Sequence, residues 1–173
     1  GYVRNTVSIT ANYYNDIPIA DLTVVSAKLS RTDSGTVRFD PTECFNYTFT
    51  VKNTGDLKAN GSKAFIYVDN RLYTEIAVNE LNAGESQTLS YTFSAGALGN
   101  GEHNIYVLAD GYNVINDADR SNNASSKTQF IVEPAKSDLS ATFDMEGDES
   151  GTLFAEQKIA VAITVTNHSG NKN

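Results

Sequence analysis

The chain has 173 residues, of which 40% are hydrophobic, and this length is typical of one domain or of one domain with part of another. Its formal net charge of −8 disfavours binding to nucleic acid or to anionic lipid, because both partners are themselves negatively charged. No apolar stretch approaches the roughly 18–20 residues of a membrane-spanning helix, so no membrane insertion is expected.

Short stretches of alternating apolar and polar residues, separated by glycine, asparagine and aspartate, predict strands along most of the chain. Residues 3–11 predict an N-terminal strand, and residues 12–20 predict a linker. Seven strands follow, over residues 21–30, 45–51, 63–68, 72–78, 87–93, 104–109 and 126–132. Strands at regular spacing with turns between them predict an all-β fold, a seven-stranded antiparallel β-sandwich of the Ig-like or fibronectin-III-like type.

The alternation within the strands also predicts the core, because successive side chains of a strand point to opposite faces. Asp69 and Asn70 predict a tight hairpin turn between two of the strands. The single cysteine, Cys44, cannot form an internal disulfide and is expected to be a partly buried thiol at a strand start. The predicted core consists of Phe45, Tyr47, Phe49, Val51, Leu89, Tyr91, Phe93, Ile105, Val107, Phe130 and Val132.

A second unit begins at Asp138, where the sequence starts to repeat. DLSATF at 138–143 is similar to DLTVVS at 21–26, and IAVAITVTNHSG at 159–170 is similar to YTFTVKNTG at 47–55. Internal similarity of this kind predicts a tandem repeat, and the second copy covers only about two strands.

We therefore expect three regions: residues 1–18, a strand and linker that could be the tail of a preceding domain; residues 19–134, a complete module; and residues 135–173, an incomplete second repeat. An incomplete sandwich leaves an unpaired strand edge that invites another strand. The sequence thus predicts strand exchange between residues 3–11 and 159–167, either within one chain or between copies in a homo-oligomer.

Several short motifs occur in order between Asp21 and Val132. Besides the initial DL they are VKNTG at 51–55, YVDN at 67–70, LNAGES at 81–86, GEHNIYVLAD at 101–110 and VINDADRSNN at 114–123. This part of the chain resembles CARDB, the cell-adhesion-related domain found in bacteria and archaea. The resemblance implies a seven-stranded sandwich, often in tandem, in large exported proteins, and hence a secreted or cell-surface location. No catalytic residue is established for the family, so none is carried over.

The residues themselves predict no enzyme. The chain has no Gly-x-Ser-x-Gly elbow and no cluster of histidine and cysteine with the spacing of a zinc site. His103 and His168 have no partner motif and are expected at the surface or at a strand edge. We therefore expect no catalytic residue, and calcium is the only candidate cofactor.

Oxygen-bearing side chains cluster in the polar loop before the last predicted strand. Asn116, Asp117, Asp119 and Asn122 are candidate calcium ligands, because Ca²⁺ takes six to eight oxygen ligands. Only two of these are carboxylates, and no glycine lies between them to make a tight ligand loop. Aspartate and asparagine also hold turns by accepting backbone N–H hydrogen bonds, and this second interpretation is the preferred one.

The preferred function is a non-catalytic structural or adhesive module of a bacterial cell-surface or secreted protein, which acts as a spacer or binds a partner, either a protein or a glycan. The alternative is a carbohydrate-binding accessory module of a secreted glycan-degrading enzyme. Such modules stack sugars on exposed aromatic rings. The candidate contacts are Tyr67, Tyr73 and Tyr112, of which Tyr67 and Tyr73 flank the predicted turn and are expected to share a face.

Overall fold

The computed structural model describes residues 17–31, 35–136, 138–146 and 160–167. The chain divides into two compact units, Gly1–Val132 and Glu133–Asn173. The predicted N-terminal strand, residues 3–11, lies outside the described residues. The strands are β1 (Leu22–Leu29), β2 (Val37–Phe39), β3 (Cys44–Asn53), β4 (Ser62–Val68), β5 (Arg71–Val78), β6 (Ser86–Ser94), β7 (Gly101–Leu108), β8 (Thr128–Val132), β9 (Leu139–Glu146) and β10 (Ala160–Asn167), with one helical turn, α1 (Ala95–Leu98), and one 3-10 turn (Arg120–Asn122).

The first unit is a β-sandwich of two sheets. One sheet has the order β1-β3-β6 and the other the order β2-β8-β7-β4-β5. The prediction of an all-β sandwich with antiparallel sheets is confirmed, and the described residues of the first unit form eight strands, one more than the seven predicted. The additional strand, β2, pairs in parallel with β8. With three residues, β2 is too short to show the alternation by which strands are recognised in a sequence.

The core lies between the two sheets and contains the predicted residues. All of them are buried except Leu89 and Tyr91, which are half-buried. Both lie on β6, an edge strand of the three-stranded sheet, and an edge strand is covered less completely than a central one. The unpredicted strand β2 adds Phe39, whose ring stacks on that of Phe45 with 4.1 Å between centroids. Cys44, at the start of β3, is exposed instead of partly buried.

A buried asparagine ties the ends of several strands together. The side-chain oxygen of Asn53 accepts hydrogen bonds from the backbone N–H groups of Asp21 and Gly55, both at 3.1 Å. Its side-chain nitrogen donates to the carbonyl oxygens of Leu57 at 2.8 Å and Leu81 at 3.0 Å. Asn53 is fully buried, so all four hydrogen-bonding positions of its amide are used without solvent.

The turn between β4 and β5 follows the prediction. Asp69 and Asn70 have φ of 51° and 63°, the left-handed values that a two-residue type I′ hairpin turn requires. Asparagine and aspartate tolerate this conformation better than most residues. The backbone N–H of Asp69 then donates to the carbonyl oxygen of Asn104 at 2.9 Å, which ties the turn to the first half of β7.

The described part of the second unit is an antiparallel pair, β9 with β10. Leu139 pairs with Asn167, just as Leu22 pairs with Asn53 in the first unit. The first three pairs of β9–β10 therefore match those of β1–β3. Beyond them the registers differ, because β1 has a bulge between Val24 and Ser26 that β9 lacks. The predicted exchange of 159–167 with residues 3–11 is untested, because residues 3–11 are outside the described part of the chain; β10 pairs with β9 along its whole length.

Candidate functional site

An aromatic row lies on the outer face of the five-stranded sheet; we use this name for Phe65, Tyr67, Tyr106 and Tyr112. Because Ile66 points into the core, its neighbours on β4 point to the opposite face. Tyr67 is directly opposite Tyr106 of β7, and their rings stack with 4.9 Å between centroids and 5° between planes.

A lysine closes one end of the aromatic row. The Lys127 ammonium lies 5.4 Å from the centroid of the Tyr106 ring, within the range of a cation–π contact. The same ammonium donates a hydrogen bond to the side-chain oxygen of Asn70 at 2.7 Å. The turn between β4 and β5 and the aromatic row therefore share this lysine.

The other end of the aromatic row is Tyr112, which belongs to the loop after β7. Its ring meets Phe65 edge-on at 4.7 Å, and its hydroxyl donates to Glu75 Oε1 at 2.6 Å. This hydrogen bond raises the pKa of the Tyr112 hydroxyl and lowers the pKa of the Glu75 carboxyl. The loop approaches Phe65 so closely that a Cβ at Gly111 would collide with the phenylalanine ring, so this position requires glycine.

Tyr73 lies on a different surface, and the expectation that it shares a face with Tyr67 is wrong. The register of β4 with β5 shifts by one residue between Ile66, which pairs with Thr74, and Tyr67, which pairs with Leu72. Tyr73 is the extra residue of this bulge, and a bulge re-aims the side chain it contains. Its ring packs at the sandwich edge against β6, 6.0 Å from the Tyr91 ring and 4.9 Å from the Phe93 ring.

The orientation of these rings bears on sugar binding. A flat platform for a sugar needs rings that lie side by side with one face open. Tyr67 and Tyr106 instead cover one face of each other, and Tyr73 faces β6. Of the three candidate tyrosines, Tyr112 is the most exposed, with 58% of its surface accessible. Phe65 and Tyr106 were not among the candidates. Phe65 lies two residues before Tyr67 on β4, so the period of two residues could have placed both on one face, whereas only strand pairing brings Tyr106 beside Tyr67.

The polar loop before β8 is organised around a buried carboxylate. Asp110 is fully buried and accepts hydrogen bonds from the backbone N–H groups of Val114 at 3.0 Å and Ile115 at 2.9 Å. Arg120 donates to the same carboxylate at 3.0 Å and to the Asp110 carbonyl oxygen at 3.1 Å. The buried charge is thus paired and fully hydrogen-bonded, as the burial of a charge requires.

Asp117 connects this loop to β1. Its carboxylate accepts from the backbone N–H of Leu22 at 2.9 Å and of Asp119 at 3.0 Å, and from the Asn123 side-chain nitrogen at 3.1 Å. The Asn122 side-chain nitrogen donates to the Asp21 carboxylate at 3.0 Å. These side chains therefore make hydrogen bonds within the fold, as side chains that hold a turn do.

The remaining calcium candidates, Asn116, Asp119 and Asn122, have different surroundings from one another. Asp119 accepts from the hydroxyl and the backbone N–H of Ser121, and these hydrogen bonds lower the pKa of the Asp119 carboxyl. Asn116 is exposed. The side-chain oxygens of Asn122 and Asn123 are buried without a hydrogen-bond partner. Within the described ranges, no three histidine, cysteine, aspartate or glutamate side chains are grouped so as to hold a metal ion. Calcium binding here stays an untested expectation.

His103 is more enclosed than its predicted surface or edge position suggests. Its side chain is 9% exposed, with Nδ1 2.7 Å from Asp69 Oδ2 and Nε2 3.0 Å from the Gly99 carbonyl oxygen. A shallow groove of about 220 Å³ contains His103 and Glu102, but these residues are consecutive on β7 and their side chains leave opposite faces. With both nitrogens engaged, the ring has no free position for general base catalysis.

The two packed sheets place the first unit in the class of Ig-like β-sandwich modules. The CARDB family model matches residues 19–127, which is more than half of the chain. The chain therefore belongs to the CARDB family, as the resemblance implies for one copy. CARDB is a non-catalytic domain family. Among the described residues, no helix has the length and apolarity needed to span a bilayer.

Solved structures share this fold. The CARDB domain of a Pyrococcus furiosus protein, crystallised in complex with di-metal ions, matches with a TM-score of 0.55 and 22% identity over 67% of this chain and 96% of that one. A domain of a proposed cell-surface protein from Methanosarcina acetivorans matches with a TM-score of 0.51 and 23% identity, over 66% of this chain and 92% of that one. A comparison with curated proteins found no match.

Proposed function

We propose that the chain is a structural module of a cell-surface protein, in which it acts as a load-bearing spacer. The supporting observation is that Ala20 and Val132, which flank the described strands of the first unit, lie at opposite ends of the sandwich. Ala20 accepts from the backbone N–H of Ala118, in the loop that follows the last residue of β7, Leu108. The exit residue Val132 pairs with Gly101, the first residue of β7. At about 3.4 Å per residue, β7 separates the two points by roughly 24 Å.

The repeat supports the same function. The first three pairs of β9–β10 match those of β1–β3, and Asn167 occupies the position of Asn53. We interpret this pair as the corresponding strands of a second copy of the module. In tandem modules that each enter at one end and leave at the other, every copy lengthens the array, as a surface spacer requires.

Force spectroscopy tests the spacer function. With the chain held by its termini, we expect the first unit to resist extension and then to unfold in one step. Because an unfolded chain spans at most about 3.6 Å per residue, this step lengthens the tether by on the order of 350 Å. A chain that extends gradually, without a discrete step, would contradict the proposal.

Labelling of cells tests the location. An antibody against the first unit is expected to label intact cells of the source organism. Labelling that appears only after permeabilisation would contradict a cell-surface role. An antibody against a cytosolic marker, which labels only permeabilised cells, is the control.

The aromatic row is the surface that we propose for partner contact, because aromatic side chains are enriched at protein interfaces. Beads coated with the protein, tested for adhesion to cells, should lose adhesion with Tyr67→Ser plus Tyr106→Ser. Thr48→Ala plus Ser90→Ala, which changes a hydrogen-bonded pair on the outer face of the other sheet, is the matched control and should adhere normally. Equal loss in both variants would refute the assignment. Binding to soluble polysaccharide that requires Tyr112 would instead favour the carbohydrate-binding alternative.

A further inference from the structure

Two asparagine–glycine pairs occur in the chain, Asn60–Gly61 and Asn100–Gly101. In such a pair the backbone nitrogen of the glycine can attack the side-chain carbonyl carbon of the asparagine, because glycine has no Cβ to hinder the approach. All four residues are exposed, so accessibility to solvent does not distinguish the two pairs. The hydrogen bonding of the glycine nitrogen distinguishes them.

Gly101 is the first residue of β7, and its N–H belongs to a strand pair. In a central strand the N–H and carbonyl groups of alternate residues face opposite neighbours. The N–H and the carbonyl oxygen of Val107 both bond to Ser125, on the β8 side of β7, at 3.1 and 2.9 Å. Gly101 lies an even number of residues from Val107, so its N–H also faces β8, where it pairs with Val132. Attack by this nitrogen therefore requires β7 and β8 to separate first.

Gly61 lies just before β4, in a short segment that the sheet holds at both ends. On one side Ala59 and Leu81 exchange backbone hydrogen bonds at 2.9 and 3.0 Å, and on the other β4 begins at Ser62. Within the part of the chain that the structure describes, the Gly61 N–H makes no hydrogen bond. This nitrogen can therefore attack the neighbouring Asn60 amide without any strand pairing being broken.

From this difference we propose that Asn60 is a site of spontaneous deamidation in the folded protein. The Gly61 nitrogen forms a bond to the Asn60 side-chain carbonyl carbon, while the bond from that carbon to the amide nitrogen breaks. The amide nitrogen leaves as ammonia and takes up the proton that the Gly61 nitrogen loses. Water then opens the resulting cyclic imide at either of its carbonyl carbons, which gives aspartate or isoaspartate. Water is the only co-reactant.

The products change the segment that leads into β4. Either product places a new carboxylate two residues after Lys58, whose ammonium is paired with Glu80 at 2.8 Å. Isoaspartate also lengthens the backbone by a methylene group between Ala59 and Ser62, both of which are held in the sheet. The modification therefore alters charge and backbone length at one end of the five-stranded sheet. It is independent of the spacer function proposed above.

Incubation of the full chain in mildly alkaline water enriched in a heavy oxygen isotope tests the proposal. Trypsin then cuts after Lys58 and Lys63 and isolates Asn60 in residues 59–63. We expect this peptide to change from amide to acid, with uptake of heavy oxygen, at least about tenfold faster than the peptide that contains Asn100. In urea, where the pairing of β7 with β8 is lost, the two asparagines should react at similar rates.

Gly61→Ala tests the role of the glycine nitrogen. A Cβ at Gly61 would lie 3.5 Å from the Val78 carbonyl oxygen, an ordinary contact, so the variant is expected to fold. The Cβ hinders the attack and should slow the reaction at Asn60 roughly tenfold. Gly35→Ala, at a position where a Cβ meets no atom within 4 Å, is the matched control and should leave the rate at Asn60 unchanged.

Three results would overturn the proposal. The first is an Asn60 that stays an amide in the folded chain over the time in which both asparagines react in urea. The second is an equal rate at Asn60 and Asn100 in the folded chain, because the pairing of the Gly101 nitrogen would then have no effect. The third is a rate at Asn60 that Gly61→Ala leaves unchanged.

Discussion

Replacing Asn53 is the most informative test of how the first unit is held together. The buried amide joins four backbone groups: the N–H groups of Asp21 and Gly55 and the carbonyl oxygens of Leu57 and Leu81. These groups lie at the entry to β1, after β3, and before β6. A single side chain therefore fixes three segments that are far apart in sequence.

The expected cost follows from the number of hydrogen bonds. Each contributes about 1 kcal/mol net, so Asn53→Ala should lower the free energy of unfolding by roughly 4 kcal/mol. A domain of this size has a total stability of about 5–15 kcal/mol, so this single change removes a large part of it.

Asn53→Asp sharpens the test, because it keeps the shape of the side chain. The new carboxylate still accepts from Asp21 and Gly55, but its second oxygen faces two carbonyl oxygens in place of donating to them. Burial and these acceptors raise the pKa of the introduced carboxyl in the folded state above its ordinary value of about 3.9. The folded variant therefore binds a proton more tightly than the unfolded variant. As a result, the free energy of unfolding that the variant loses relative to the parent chain becomes smaller as the pH falls and larger as the pH rises.

Urea unfolding followed by tyrosine circular dichroism, at about pH 7 and about pH 4.5, measures this difference against the parent chain at each pH. Asn79→Asp makes the same chemical change at an exposed position and should stay within about 0.5 kcal/mol of the parent. The reasoning is refuted if the free energy of unfolding of Asn53→Asp is also within about 0.5 kcal/mol of the parent at neutral pH. It is also refuted if the loss of stability relative to the parent is the same at both pH values.

Three further predictions concern the core, the loop and the turn. Phe49 is fully buried, so Phe49→Ala should lower the free energy of unfolding by roughly 3–5 kcal/mol in the same urea titration. Excess EDTA should leave the melting temperature unchanged. Asn123→Ala removes a hydrogen bond to Asp117 and should lower the melting temperature by a few degrees. A large drop in melting temperature with EDTA, reversed by calcium, would show that the loop is a cation site. Burial acts to raise the pKa of Asp69, but the hydrogen bonds from His103 and the Asn104 backbone and the nearby positive charges outweigh it and lower the pKa. The stability that Asp69 adds is therefore present above its unfolded pKa and lost as the pH falls through the lower folded pKa, so Asp69→Asn should cost more at about pH 6 than at about pH 2.5; an equal cost would contradict this assignment.

The carboxylates of the polar clusters in the first unit are hydrogen-bonded within the fold. The Asp110 carboxylate receives two backbone N–H groups and Arg120, and the Asp117 carboxylate receives two backbone N–H groups and an amide. Their acceptor capacity is largely used within the fold. A carboxylate whose oxygens already accept hydrogen bonds from the loop holds that loop in place. This fits the non-catalytic character of the family.

Local sequence patterns determined the all-β class and most of the core. Strand alternation has a period of two residues, so Phe45, Phe49 and Phe93 could be assigned to the interior without knowledge of their partners. The left-handed turn at Asp69 and Asn70 was also predictable, because the preference of these residues for that conformation is local.

Features that depend on pairing between distant strands were decided only by the tertiary structure. Strand β2 is too short to show a pattern and exists because β8 lies beside it. The bulge that turns Tyr73 away from Tyr67 is a shift in register between two strands, and neither strand shows it alone. Tyr67 and Tyr106 are 39 positions apart in the sequence, and only the pairing of β4 with β7 stacks their rings. The physical reason is that periodicity fixes which face a side chain takes, whereas register and sheet order fix which side chains meet on that face.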